Sequence, residues 1–145
     1  MTQLIPSERV ATSVSRVTTR MLGLTFRPAI STLPVERWRT VALPIPGKRP
    51  VTVALSSDRR GCAALASAML GMAEDDLAVE MIDDFMRELV NMTAGQLKSE
   101  LSLDQALGLP RIFDGDALFA GAAWTHHTLD ANSINLVVSI LSGLL

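Results

Sequence analysis

The sequence is poor in cysteine and histidine, with one cysteine and two histidines in 145 residues. The lone Cys62 cannot form a disulfide within the chain, and this usage is compatible with a reducing compartment. Cys62 lies among alanine and leucine residues at a predicted helix start, so we expect a small buried residue rather than a nucleophile. His126 and His127 are adjacent and would point to opposite faces of a strand, so no zinc site is expected and we assign the chain no metal of its own.

A strong charge of one sign and long apolar runs are also lacking. The 13 basic and 15 acidic residues give a net charge of -2, whereas nucleic-acid-binding domains are usually clearly basic. The longest apolar segment, residues 134–145, is shorter than the roughly 20 residues that span a bilayer. We therefore expect a cytoplasmic protein that binds neither nucleic acid nor a membrane.

Two common enzyme motifs are missing as well. The chain has no Gly-x-Ser-x-Gly elbow and no glycine-rich phosphate loop. It therefore does not look like a protease, an esterase or a nucleotide-binding enzyme. Its length and its 48% apolar residues predict a single domain over residues 1–145.

Charge is uneven along the chain, although its sum is small. Seven of the 15 acidic residues lie between positions 74 and 88, after a basic stretch. They are compatible with a solvated helix start that complements the helix dipole, or with an acidic surface for a basic partner. The acids are Glu74, Asp75, Asp76, Glu80, Asp83, Asp84 and Glu88.

Apolar periodicity and turn residues predict an α+β fold. A first helix is expected from Pro6 to about Gly23, and two β-prone runs joined by Pro-Gly predict a hairpin. The order of helix, hairpin, two helices and strands argues against alternating βαβ units, so we predict an antiparallel or mixed sheet packed against two long helices plus an N-terminal helix. After that first helix, the predicted elements are strands 38–43 and 50–55, a helix ending at 70, a helix over 74–101, and strands 109–113, 117–126 and 134–141.

The last predicted strand, residues 134–141, is uncharged and has one wholly apolar face. At the edge of a sheet such a strand would risk aggregation. It should therefore lie in the centre of the sheet or be buried against a second copy of the chain. From this pattern we predict a homodimer.

The longest predicted helix carries Asp84, Glu88, Asn91 and Gly95 on one narrow stripe. At roughly 100° per residue these four positions fall within about 60° of one another, opposite the apolar face. Asn in a helix interior costs several tenths of a kcal/mol relative to Ala, and Gly costs about 1 kcal/mol. The residues alone leave two interpretations open, a functional stripe or an ordinary solvated helix surface.

This stripe resembles the signature of a known family. Asp84-x-x-x-Glu88-x-x-Asn91 matches the Asp/Ser-x-x-x-Glu-x-x-Asn pattern of the CheC, CheX and FliY phosphatases, and Gly95 fits the wider CheX-type pattern Glu-x-x-Asn-x-x-x-Gly. The neighbouring sequences Ala-Met-Leu-Gly before the helix and Leu-Gly-Leu-Pro after it agree with CheX-like proteins. The resemblance implies a CheC/CheX-like fold and a single CheX-like domain.

The number of signatures distinguishes branches of that family. CheC carries a second signature on its other long helix, but residues 60–67 of this chain contain no Glu-x-x-Asn. One active site per chain is therefore implied, as in the CheX branch, which is usually dimeric through its sheet.

The resemblance also implies a reaction and a partner. Family members hydrolyse the aspartyl phosphate of a CheY-like response regulator in chemotaxis. By resemblance, Asn91 would orient the attacking water and Glu88 would pair with the regulator's active-site lysine, while Asp84 and Gly95 would contact the partner. Mg²⁺ would be carried by the regulator, and this chain would bind no cofactor. The alternatives are a non-catalytic regulator-binding or scaffold module of the same fold, and an unrelated α+β domain.

Overall fold

The computed structural model describes residues 5–30, 35–121 and 123–145. In those residues one apolar core joins three helices to one face of a six-stranded sheet. The structure confirms the predicted α+β fold. The helices are α1 (Ser7–Leu22), α2 (Arg59–Leu70) and α3 (Val79–Glu100), and the strands are β1 (Arg27–Pro28), β2 (Arg39–Ile45), β3 (Val51–Ser57), β4 (Arg111–Asp114), β5 (Thr125–Ala131) and β6 (Ile134–Ser142).

The sheet has the strand order β1-β5-β6-β3-β2-β4, and each neighbouring pair is antiparallel. The apolar last strand, β6, therefore lies in the centre, one of the two positions that its sequence predicted. Because β6 pairs along both edges within the chain, its composition does not require a second copy. The homodimer stays a prediction, which the structure of one chain does not test.

The ends of α1 and α2 follow the expected capping residues. α1 ends at Gly23 and α2 at Gly71, both in the left-handed conformation, with φ of 68° and 67°. At the start of α2 the Asp58 side chain accepts a hydrogen bond from the Gly61 N–H at 2.6 Å. No helix in the described ranges is both long enough and apolar enough to cross a membrane.

Helix α3 begins at Val79, five residues later than the predicted start at Glu74. The segment Glu74–Asp76 instead forms a short 3₁₀ turn, and Leu77 and Ala78 are extended. Leu77 packs against the core, so burial of this side chain outweighs the helical continuation that the sequence pattern favoured. The prediction was wrong here because that packing is tertiary.

Strand β5 also begins later than predicted, at Thr125 instead of Ala117. Residues Ala117–Phe119 form a 3₁₀ turn, and the Phe119 ring packs edge-to-face against Trp124 and His126, with centroids 5.0 Å apart in each pair. This aromatic contact holds the segment on the sheet surface without strand pairing. Residue 122 of the predicted strand lies outside the described residues.

Cys62 is wholly buried in α2. Its burial, with a smaller contribution from the nearby Asp58 carboxylate, raises the pKa of the Cys62 thiol to about 12. The thiol is therefore protonated near neutral pH and cannot act as a thiolate nucleophile. The expected small buried residue is confirmed.

The two histidines point to opposite faces of β5, as predicted. His127 is buried against the start of α1, with Nδ1 2.8 Å from Ser7 Oγ, whereas His126 Nδ1 lies 2.7 Å from Ser139 Oγ. Burial lowers the pKa of His127, and the neighbouring His126 lowers it further. Burial and then Arg37 lower the pKa of His126.

These lowered pKa values predict a loss of stability in mild acid. Because the unfolded histidines bind protons first, their contribution is fully present above about pH 6.5 and is lost as the pH falls through the folded-state values. We expect urea unfolding between pH 7.5 and 5.0 to show a stability slope of at most about 1.4 kcal/mol per pH unit from the buried His127, and a smaller slope from His126, because solvent screens that exposed side chain. His127→Gln should flatten this slope, and an unchanged slope in that variant would contradict the assignment.

Candidate active site on helix α3

Helix α3 separates a buried face from a solvent-exposed stripe. Seven of its apolar side chains are at most 5% exposed. Asp84, Glu88 and Asn91 are exposed and Gly95 is partly exposed, so the structure brings the four predicted site residues together on one outer surface. The buried side chains are Ile82, Phe85, Met86, Leu89, Val90, Ala94 and Leu97.

Glu88 and Asn91 form the centre of this stripe. They are three residues apart on a helix, a spacing at which Cβ atoms lie about 5–6 Å apart. Among the described residues, neither side chain is engaged in an intramolecular side-chain hydrogen bond or ion pair. A carboxylate and a carboxamide are therefore presented side by side to solvent.

Asp84 differs from Glu88 because its charge is locally compensated. Arg87 Nη1 donates to Asp84 Oδ1 at 2.7 Å, one turn along the same helix. The Asp84 side chain is 77% exposed, so this ion pair contributes only about 0–1 kcal/mol to stability. A partner could displace Arg87 at little cost, and Asp84 suits the rim of a contact better than its centre.

Gly95 has no packing reason to be glycine within this chain. A Cβ atom added at Gly95 would meet no heavy atom within 4 Å outside the backbone of its own helix. The cost of about 1 kcal/mol for glycine in a helix interior is therefore not offset by a close internal contact.

The start of α3 is tied to the sheet by Arg39, the first residue of β2. Arg39 Nε donates to Asp83 Oδ1 at 3.0 Å, a second guanidinium nitrogen donates to Asp114 Oδ1, and the guanidinium lies over the Trp38 ring at 4.6 Å. Arg39 and Asp83 are only 18% and 17% exposed. Their hydrogen-bonded pair therefore fixes the position of the helix that carries the stripe.

The end of α3 is held by a second arginine from the hairpin between β2 and β3. The Arg49 guanidinium donates to the carbonyl oxygens of Leu101 and Ser102, just beyond the last helical turn. Neither arginine is a predicted site residue, since the sequence shows both only as part of a basic stretch before residue 74. The signal for Arg39 was a charge at the start of a buried strand, since a charge in that setting needs a partner.

The Arg39 contact gives a stability prediction. Arg39→Ala leaves Asp83 half-buried without its donor, so we expect the free energy of unfolding to fall by about 2–3 kcal/mol. Urea unfolding at pH 7 measures the change. Arg87→Ala removes an arginine from an exposed pair on the same helix and should stay within about 0.5 kcal/mol of the wild type; equal losses in both variants would contradict a special role for Arg39.

The side chains of the stripe are hydrogen-bonding groups. Among the described residues, no three histidine, cysteine, aspartate or glutamate side chains cluster closely enough to hold a metal ion. The arrangement can instead donate and accept hydrogen bonds through Asn91 and accept them through Glu88.

The family model for the chemotaxis phosphatase CheX matches residues 39–123, more than half of the chain. The chain belongs to the CheX family. The matched region contains β2, β3, α2, all of α3 and β4, and thus both the stripe and the arginines that hold α3. The expected CheX-like fold is therefore confirmed, together with the family membership that the four-residue signature indicated.

Solved CheX-family structures agree with this assignment at the level of the fold. The chemotaxis protein CheX from Vibrio vulnificus is 15% identical, with a TM-score of 0.76 over 97% of this chain and 99% of that one. A CheX from Desulfovibrio desulfuricans is 19% identical, with a TM-score of 0.71 over 92% and 96%. The structure described as the CheX-CheY-BeF3-Mg+2 complex from Borrelia burgdorferi is 16% identical, with a TM-score of 0.74 over 98% and 100%. Among curated proteins, no sequence matches.

Proposed function

We propose that this protein hydrolyses the aspartyl phosphate of a CheY-like response regulator. Membership of a family described as chemotaxis phosphatases supports the reaction, and a CheX of the same fold in a structure with CheY supports the partner. The observation that carries the proposal to particular residues is the exposure of Glu88 and Asn91, side by side and unengaged, on a helix fixed at both ends.

Asn91 is the group that orients water in this proposal. Its carboxamide can accept a hydrogen bond from a water molecule and donate one to a phosphoryl oxygen at the same time, which a carboxylate or an ammonium group cannot do. Hydrolysis of a phosphoryl group depends mainly on positioning and electrostatics, as with the water-orienting glutamine of GTPases. A neutral side chain that is held rigidly is therefore sufficient.

Glu88 fixes the position of α3 on the regulator. Its carboxylate would accept a charge-assisted hydrogen bond from the active-site lysine of the regulator. Because Glu88 and Asn91 share one helix, the contact that Glu88 makes also sets the distance from Asn91 to the phosphoryl group. Asp84 lines the rim of this contact.

The metal in this reaction belongs to the partner. Mg²⁺ on the regulator would neutralise charge on the phosphoryl group, and this chain would bring only the carboxamide, the carboxylate and the shape of α3. The active site is thus divided between two proteins.

The homodimer and the single domain over residues 1–145 belong to the same proposal. Light scattering of the purified chain tests the homodimer.

Phosphate release from a phosphorylated, Mg²⁺-loaded CheY-type regulator tests the proposed activity. We expect the wild-type chain, at substoichiometric concentration, to accelerate release over the regulator's own hydrolysis. If it binds the regulator without accelerating release, the chain is the non-catalytic binding module that the sequence also allows. Absence of both binding and acceleration for cognate regulators would contradict the whole proposal.

Gly95 gives a prediction that separates folding from binding. Gly95→Ala should raise the free energy of unfolding by about 1 kcal/mol, because alanine favours the helix and its Cβ meets no neighbour. The same Cβ should weaken regulator binding about tenfold if the regulator packs closely there. Urea unfolding and a binding titration measure the two effects.

The matched control is Gly71→Ala, at which φ of +67° strains any side chain. This variant should lose stability without a direct effect on the α3 contact. Unchanged binding by Gly95→Ala would remove Gly95 from the interface.

A further inference from the structure

Two methionines on α3 depart from the burial pattern of that helix. Met81 and Met92 are 40% and 39% exposed, whereas seven other apolar side chains of α3 are at most 5% exposed. Single exposed apolar residues are common on protein surfaces and need no explanation. What distinguishes these two is their position relative to Glu88 and Asn91.

Both methionines lie on the same side of the stripe. They are eleven residues apart, which places them about 20° from each other around the helix and about 16 Å apart along it. Glu88 and Asn91 lie between them in the sequence. On the other side of the stripe the neighbouring side chains are charged: Glu80, Arg87 and Lys98. The stripe therefore has one apolar flank and one charged flank.

Met81 and Met92 are also the exposed apolar side chains of α3 that the proposed contact could bury. The pair of Glu88 with a lysine is a single contact, and part of its favourable energy is offset because both groups lose water when they meet. Burial of apolar surface is the larger favourable contribution to most protein contacts. Methionine is unbranched and flexible, so it can adapt to a surface that is met only transiently.

We propose that Met81 and Met92 form an apolar docking flank that contacts the response regulator beside its phosphorylation site and contributes affinity to the complex. The inference rests on the proposed function. The regulator surface that meets this flank is apolar and lies on one side of its phosphorylated aspartate. The charged flank then faces solvent or polar groups.

Glutamine variants of the two methionines test this flank. Met81→Gln and Met92→Gln keep the side-chain length and nearly the same helix propensity, so folding should be preserved. We expect each change to raise the KM for the phosphorylated regulator about fivefold and the double variant to raise it about 25-fold, with kcat within about twofold. Met81→Leu and Met92→Leu should have KM values close to that of the wild type.

Met69→Gln is the matched control, because Met69 is 41% exposed but lies on α2. It should leave KM unchanged. An unchanged KM in the Met81 and Met92 double variant, or an equal rise in Met69→Gln, would overturn the docking flank.

A second measurement separates this inference from the proposed function. The Kd for a regulator loaded with Mg²⁺ and beryllofluoride, which stands in for the phosphoryl group, reports binding without turnover. If the wild-type chain binds but does not accelerate phosphate release, the proposed phosphatase activity is contradicted. The Kd of the double variant, compared with that of the wild type, then still tests the docking flank. If the wild type accelerates release and the double variant has the same Kd and KM, only the proposed docking flank is contradicted. If the wild type does neither, both proposals fall.

Discussion

Asn91→Ala is expected to lower the acceleration of regulator dephosphorylation by roughly 100-fold or more, while the affinity for the regulator stays within about threefold. The carboxamide is the group that would hold water in line with the phosphorus atom, and loss of such positioning commonly costs about two orders of magnitude. Asn91 is exposed, so its replacement removes no buried contact. Phosphate release and a binding titration with the same regulator measure the two quantities.

Folding should not account for this loss. Alanine is the better helix former by several tenths of a kcal/mol, so the free energy of unfolding of Asn91→Ala should be unchanged or slightly raised. Gln96→Ala is a matched control, since it removes a carboxamide from the same helix outside the stripe. Equal phosphatase rates for the wild type and Asn91→Ala would reject the proposed mechanism.

Glu88→Gln is expected to weaken regulator binding by about 10- to 100-fold. The change keeps the shape of the side chain but removes the charge, and hydrogen bonds to charged groups are worth about 1.5–3 kcal/mol. The effect should appear mainly in Kd and KM. It should shrink at high ionic strength to the extent that solvent reaches the pair.

A double-mutant cycle identifies the partner of Glu88 directly. Combining Glu88→Gln with replacement of the regulator's active-site lysine by methionine should cost little more than either change alone, because each removes the same contact. Strictly additive losses would show that Glu88 contacts another group. Glu8→Gln, an exposed glutamate on α1, controls for the loss of one negative charge and should leave Kd unchanged.

Much of the secondary structure could be predicted because its signals are local. Asp58 caps the start of α2, and Gly71 ends this helix in the left-handed conformation. Both signals depend only on neighbouring backbone. The start of α3 could not be predicted in the same way. Leu77 is extended instead of helical and packs against the core. That contact requires residues far away in the sequence.

The same distinction between local and tertiary signals applies to the candidate site. The common stripe of Asp84, Glu88, Asn91 and Gly95 could be predicted from their spacing, since helical geometry converts that spacing into a common direction. The exposure of this stripe to solvent depends on the packed fold, and so do the contacts by which Arg39 and Arg49 hold the two ends of the helix. The packed fold also leaves empty space beside Gly95. Spacing along a helix is a local property of the backbone, whereas exposure and anchoring depend on which distant segments pack around it.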